Sequence, residues 1–288
     1  MDSFWDALLS PTSNLIRNAV IVGVLSCFSF GVVGSYVVVK RISYIAGAIA
    51  HCVLGGIGLS LFVRANYGVE WFTPMIGTIF AAILAAVIIG FVSIATKERE
   101  DSVIGTLWVV GMSLGIILIS KTPGYVDVNS YLFGNILLVS SNDISLIIGT
   151  SLVIITTIIL FYNKLMITCF DEEYARIKGI NTKFYYILLL ILVALTVVIM
   201  VRLVGIVLVV AMLTLPPAIA SNFSKRLRTM MFLSVFVGII CVFSGIAISY
   251  SPDLPSGATI VLLTAAIYLT ILSVRTLVNK LRKFLEQS

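Results

Sequence analysis

Long apolar runs separated by short polar segments set the pattern of this chain. The runs cover roughly residues 15–39, 43–63, 73–95, 103–120, 144–163, 184–201, 203–221, 230–250 and 257–277. Each approaches the ~20 residues that a helix needs to cross ~30 Å of hydrocarbon. No run alternates polar and apolar positions as a barrel strand does, and only helices and closed barrels satisfy every backbone group inside a bilayer. The pattern predicts an all-α, polytopic helical membrane protein with about nine transmembrane helices, in a range of eight to ten. The pair flanking Arg202 is the ambiguous place, because the apolar run from Tyr185 to Ala220 barely pauses. One of those two is open to being a broken or partial span.

Shorter pieces punctuate the runs. Residues 1–13 interleave Phe4, Trp5, Leu8 and Leu9 with acids, the pattern of an interfacial helix with Trp5 at headgroup depth. Segment 121–143 contains SYLFGNILLV, which is apolar but too short to span, so a re-entrant or interfacial helix is expected. Segment 164–183 carries Asp171, Glu172 and Glu173, then Arg176 and Lys178, then Gly179. Acids first, bases last and a glycine stop describe a short capped helix in water. It has little of its own to bury, which leaves a solvated surface helix or a partner surface as readings. In AMLTLPPAIASNF, Pro216 and Pro217 remove two N–H donors and are expected to break the helix at membrane depth.

Composition agrees with a membrane protein: 60% of the residues are apolar, 11% are charged, and the mean hydropathy is +1.14. The net charge of +6 is not a nucleic-acid signal, because the bases sit in the short connections. If segments 40–41, 96–102, 164–183, 224–228 and 275–288 are cytoplasmic, they hold 15 of the 19 Lys and Arg. The positive-inside rule then puts the N-terminus outside and the C-terminus in the cytoplasm. The first residues do not resemble a cleaved signal peptide, with Asp2 and Asp6 but no base before Arg17. Four cysteines without a CxxC pair point to reduced thiols.

Candidate chemistry centres on SYIAGAIAHCVLGGIGLSL (43–61), which carries the one histidine, His51. Gly47, Gly55 and Gly58 lie above and below it on the same helical face. An ionisable ring within a span is a functional hypothesis by default, and imidazole is a common metal ligand. Two readings stand: a packing position bonded to a carbonyl, with the glycines permitting close helix approach, or a metal contact. There is no GxxxxGK[ST], no HExxH and no nucleophile with a plausible base, so the chain is not expected to be an enzyme or to hydrolyse ATP. None of the 13 acids lies in mid-span, which argues against a proton- or sodium-coupled carrier.

Several segments together resemble the permease subunits of bacterial ABC importers for manganese, zinc and iron. The His51 helix is similar to that family's second span, written GDAxSHxVLPG, and IGTLWVVGMSLGIILIS (104–120) to its fourth. SYLFGNILLVSSNDI, FDEEYARIKGIN, AMLTLPPAIA and DLPSGATIVLL match further family segments in order, covering about residues 20–275. The resemblance implies one transmembrane permease domain over 1–288, in the bacterial inner membrane, moving a divalent transition metal and binding no cofactor of its own. It implies a second permease copy (the same chain or a paralogue), a cytoplasmic ABC ATPase dimer that holds the ATP, and an extracytoplasmic metal-binding protein. Asp171, Glu172, Glu173, Arg176 and Gly179 would form the coupling loop to the ATPase. His51, Gly47 and Gly55 would lie on the translocation path or its gate, near its outer end, with metal meeting His51 only transiently.

Three positions depart from the family pattern: Gly47 stands where the family has Asp, Ala50 where it has Ser, and Gly55 where it has Pro. A single imidazole is a poor metal site. His51 of a second copy, an acid from a paralogous partner, or service as a gate alone remain as explanations. The alternatives to a free-ion permease are a permease for a chelated metal or cobalamin-like cofactor, expected to have about ten spans, and a stand-alone secondary carrier.

Overall fold

The computed structural model describes residues 14–95, 100–124, 128–134, 141–250, 252 and 254–287. The expected interfacial helix over 1–13 lies outside the described residues, as does the 135–139 part of SYLFGNILLV. Every regular element among the described residues is helical. In chain order they are α1 (Asn14–Lys40), α2 (Ser43–Tyr67), α3 (Pro74–Ala95), α4 (Glu100–Ser120), α5 (Val128–Phe133) and α6 (Ser141–Phe170). They continue with α7 (Glu172–Ile177), α8 (Thr182–Val204), α9 (Val209–Ser221), α10 (Leu227–Tyr250) and α11 (Ser256–Gln287).

Eight of these, α1 to α4, α6, α8, α10 and α11, are long and apolar enough to cross a membrane. The ambiguity at Arg202 resolves into a full-length α8 followed by the short apolar α9. At 1.5 Å per residue α9 is about 20 Å long, less than the ~30 Å of hydrocarbon. The interruption falls at Gly205, whose φ is +81°. A Cβ there would stand 2.3 Å from the Gly134 amide nitrogen and 2.4 Å from the Leu132 carbonyl oxygen, so only glycine fits. The backbone that leaves the helix is not orphaned. The Ile206 N–H donates to the Tyr131 carbonyl at 3.1 Å, and the Val207 N–H to that of Leu132 at 3.1 Å. The short helix α5 thus satisfies the backbone freed at the break.

Pro216 and Pro217 do not end their helix as the sequence suggested. Both are buried inside α9, which continues to Ser221. Proline at 217 leaves the Leu213 carbonyl without its intrahelical donor. That carbonyl faces Gly34 of α1 so closely that a Cβ at 34 would be 2.2 Å from its oxygen. A helix whose freed carbonyl meets the Cα of a glycine has a weak C–H donor in place of the lost bond. The segment 164–170, expected as loop, instead prolongs α6, because Leu165 and Cys169 are buried.

Two groups of helices make up the bundle. One joins α2 to α3 and α4; the other gathers α6, α9 and α10 around α1, with α11 on α9 and α10; α8 touches α1, α2, α3 and α6 and joins them. The most enclosed span is α2, 78% buried, against 17% for α4 and α11. Its enclosure depends on glycines facing both neighbours. A Cβ at Gly56 would be 2.1 Å from the Gly77 oxygen of α3, and one at Gly58 would be 2.5 Å from the Gly115 oxygen of α4. Close backbone approach of this kind is what drives helix association where lipid removes the hydrophobic advantage. Gly56→Ala is therefore expected to force α2 and α3 apart at a cost of about 1–3 kcal/mol. Thermal denaturation in detergent should show a melting temperature several degrees lower; an unchanged one would mean that the crossing is looser than described.

One end of the bundle collects the basic segments. Lys40 bonds Glu172, and its Nζ lies 3.5 Å from the Thr168 carbonyl. The Tyr44 hydroxyl donates to the Asp101 carbonyl at 3.4 Å, the Arg228 guanidinium lies 4.7 Å from the Tyr162 ring centre, and Arg275 donates to the Asn222 side chain. The turn between α1 and α2 lies here. Arg41 holds it with φ at +62°, while Arg41 N–H donates to Val38 O at 3.2 Å and Ile42 N–H to Val37 O at 3.0 Å. This is a C-terminal helix cap that glycine ordinarily makes, and a side chain in that region costs about 1–2 kcal/mol.

Candidate functional site

His51 lies eight residues into α2, about 12 Å from the end at Ser43 and about 24 Å from the end at Tyr67. Its ring is buried, with 8% of its surface exposed. It stacks on Trp108 of α4, ring centres 4.3 Å apart and planes inclined by 18°. Its Nδ1 is sealed from solvent and has no hydrogen-bond partner. The ring is therefore not the carbonyl-bonded packing histidine that one reading of the sequence offered. A buried, unpaired imidazole nitrogen is a costly feature, to be explained by what the site does.

Gly47 explains how the indole gets there. A Cβ at 47 would stand 2.9 Å from Trp108 Cζ3, 3.2 Å from Cη2 and 3.2 Å from Val210 Cγ2 of α9. Trp108 lies along the notch that Gly47 leaves, with Tyr44 on the far side at 6.0 Å between ring centres. One turn beyond His51, Gly55 brings the helices together, since a Cβ there would be 2.9 Å from the Gly111 oxygen. Cys52 Sγ donates to the Leu107 carbonyl at 3.1 Å, fixing the turn of α4 that carries Trp108. The glycine face of α2 is thus filled by α4. Among the described residues no three of His, Cys, Asp and Glu gather into a metal-binding group.

Trp108 is the residue that reading the sequence overlooked. A signal was available: of three tryptophans, Trp5 and Trp71 flank apolar runs as interfacial residues do, whereas Trp108 sits within one. What no pattern gives is the rotational phase of α4 against α2 that puts the indole on His51.

The second candidate element is α7, at the basic end. Asp171 caps it, Oδ1 accepting from the Tyr174 N–H at 2.8 Å. The Gly179 N–H donates to Arg176 O at 2.9 Å and the Ile180 N–H to Ala175 O at 3.0 Å, with Gly179 at φ +72°. That closes the far end in a Schellman cap. Glu172 ties α7 to α1 through Lys40 and lies 3.9 Å from Arg176. Ala175 is buried, while Glu173 is exposed and Tyr174 and Ile177 show 46% and 83% of their surfaces. Helix α7 is thus one and a half turns long, capped at both ends and bonded to a span, and it leaves two large apolar side chains exposed. The sequence showed its caps; it did not show the ion pair to Lys40.

Together these features define a polytopic helical membrane protein with a buried histidine stacked on a tryptophan inside it and a short, doubly capped helix at one end. The chain belongs to the ABC 3 transport family, whose model matches residues 12–275. It is 40% identical to a probable metal transport system membrane protein of Chlamydia pneumoniae, over 96% of this chain and 92% of that one. It is 35% identical to the manganese transport system membrane protein MntC of Halalkalibacterium halodurans, over 92% and 88% of the two chains. The solved structure of PsaBC from Streptococcus pneumoniae in complex with Fab matches with a TM-score of 0.82 and 33% identity, covering 93% of both chains.

Proposed function

We propose that the chain is the membrane-spanning permease of an ATP-driven importer of a divalent transition metal, with manganese ahead of zinc and iron. The observation that carries the coupling is α7, capped at both ends and bonded to α1 through Lys40 and Glu172. Asp171, Glu172, Glu173, Arg176 and Gly179 form the lever on which a cytoplasmic ABC ATPase acts. Membership of a transport family and likeness to a manganese transport membrane protein support the cargo. The gathering of four basic connections at one end supports a cytoplasmic face there, with the N-terminus outside and the C-terminus inside a bacterial inner membrane. A second permease copy and an extracytoplasmic metal-binding protein complete the assembly, with the whole chain acting as one transmembrane domain.

In that orientation His51 lies on the inner half of α2, not near the outer end that the resemblance implied. With Trp108 stacked on it and Gly47 beneath the indole, the place is closed, which suits a gate that metal touches only while it is open. Eight long helices among the described residues, rather than about ten, favour a free ion over a chelate or a cobalamin-like cofactor. The decisive experiment is uptake of radioactive manganese by vesicles holding the permease with its ATPase and binding protein. Uptake that requires ATP is expected. Uptake driven by a proton gradient without ATP, or none for manganese, zinc or iron, would overturn the proposal.

A further inference from the structure

The basic end of the bundle holds a cavity of about 410 Å³. The α1–α2 turn, the last turn of α3, the first turns of α4 and α8, and α7 line it, leaving it half open. Four cations, Lys40, Arg41, Arg176 and Lys183, line it against two carboxylates, Asp101 and Glu172. Glu172 is engaged by Lys40 and Arg176. Among the described residues the side chains of Arg41 and Lys183 have no ionic partner. The Tyr186 and Ser93 hydroxyls, 3.0 Å apart, add polar lining. The volume is in the range of small-ligand sites.

Arg41 sharpens the identity of the ligand. Its φ of +62° is the one positive value at a non-glycine residue among those described. Glycine would make the same turn without steric strain. What arginine adds at this place is a guanidinium rooted in a fixed turn at the cavity wall. Strained backbone of this kind gathers at ligand clamps, and the planar guanidinium matches phosphate oxygens two at a time. We propose that this cavity binds a phosphate-bearing anion, with Arg41 the principal donor and Lys183 the second cation. A lipid headgroup and a soluble phosphate share that chemistry, and a cavity at the ends of the spans is open to both.

The test uses the purified full-length chain in neutral detergent, read by its melting temperature. Phosphatidylglycerol is compared with phosphatidylcholine, and inorganic phosphate with chloride at equal ionic strength. At least one anion is expected to raise the melting temperature by several degrees, as a ligand of the folded state must. A response to phosphatidylglycerol alone assigns the lipid, and a response to phosphate assigns the soluble anion. Arg41→Gly relaxes the turn, so its ligand-free melting temperature should equal or exceed that of the unsubstituted chain while the anion response disappears. Lys183→Gln should weaken the response. A response that survives Arg41→Gly undiminished overturns the proposal. So does the absence of any response together with weaker ATPase capture by Arg41→Gly, because the cavity would then be filled by that protein.

Discussion

Reversing Glu172 and Glu173 together to lysine is expected to reduce ATP-driven manganese uptake to background while the permease still folds. The two residues do different work. Glu172 ties α7 to α1 through Lys40 and lies near Arg176. A lysine there would put three cations together where one acid now holds two, and α7 would lose its hold on α1. Glu173 is exposed and has no ionic partner among the described residues, so its reversal acts on whatever approaches from outside. The stability cost is small by comparison. With Glu172 42% exposed, solvent screens the pair, and such pairs contribute about 0.2–1 kcal/mol. An unchanged melting temperature with lost uptake would therefore locate the defect in coupling. Measured ATP hydrolysis should cease to respond to the loaded binding protein. Uptake at the unsubstituted level in the double reversal would remove α7 from the mechanism.

The helices were legible because a bilayer leaves the chain so little choice. A run such as Pro74–Ala95 carries no charged residue, and its backbone can be satisfied in lipid only as a helix. The caps of α7 were legible for a related reason, since Asp171 and Gly179 act within a few residues of their own positions. What depended on distant partners was not. The double proline at 216–217 reads as a stop, yet α9 runs through it because Gly34 of α1 closes on the freed Leu213 carbonyl. The real interruption at Gly205 needs the carbonyls of Tyr131 and Leu132, some seventy residues earlier in the chain. The candidate site shows the same division. His51 and the glycines of its face could be read from helical spacing, but whether those glycines leave room for a ligand or for another helix depends on the phase of α4. The structure gives the second answer, with Gly55 against Gly111 and Gly47 against Trp108.

That answer sets the strongest expectation for the His51 site. His51→Ala should abolish ATP-driven manganese uptake with the complex still assembled, because the loss to the fold is modest: an aromatic stack contributes about 0.5–1.5 kcal/mol beyond its buried area. Unaltered uptake would mean that the ring only packs. Gly47 and Trp108 then separate a gate from a binding site. Gly47→Asp alone should destabilise the chain by about 1–3 kcal/mol, because its Cβ would stand 2.9 Å from the indole. In a Trp108→Gly background the indole no longer fills the notch, and the same aspartate should be accommodated once Val210 Cγ2, 3.2 Å from that Cβ, gives by a few tenths of an ångström. It would sit one turn from His51, where a carboxylate and an imidazole on one helical face can share a divalent ion. The double substitution is thus expected to bind manganese about tenfold more tightly than the unsubstituted chain, ~1.4 kcal/mol, while the stability costs fail to add. If Gly47→Asp alone is as stable and as active as the original, the indole does not occupy that notch in the working protein. If the double substitution binds no tighter, the ion crosses this point without resting on α2, and His51 serves the gate through its stack on Trp108 alone.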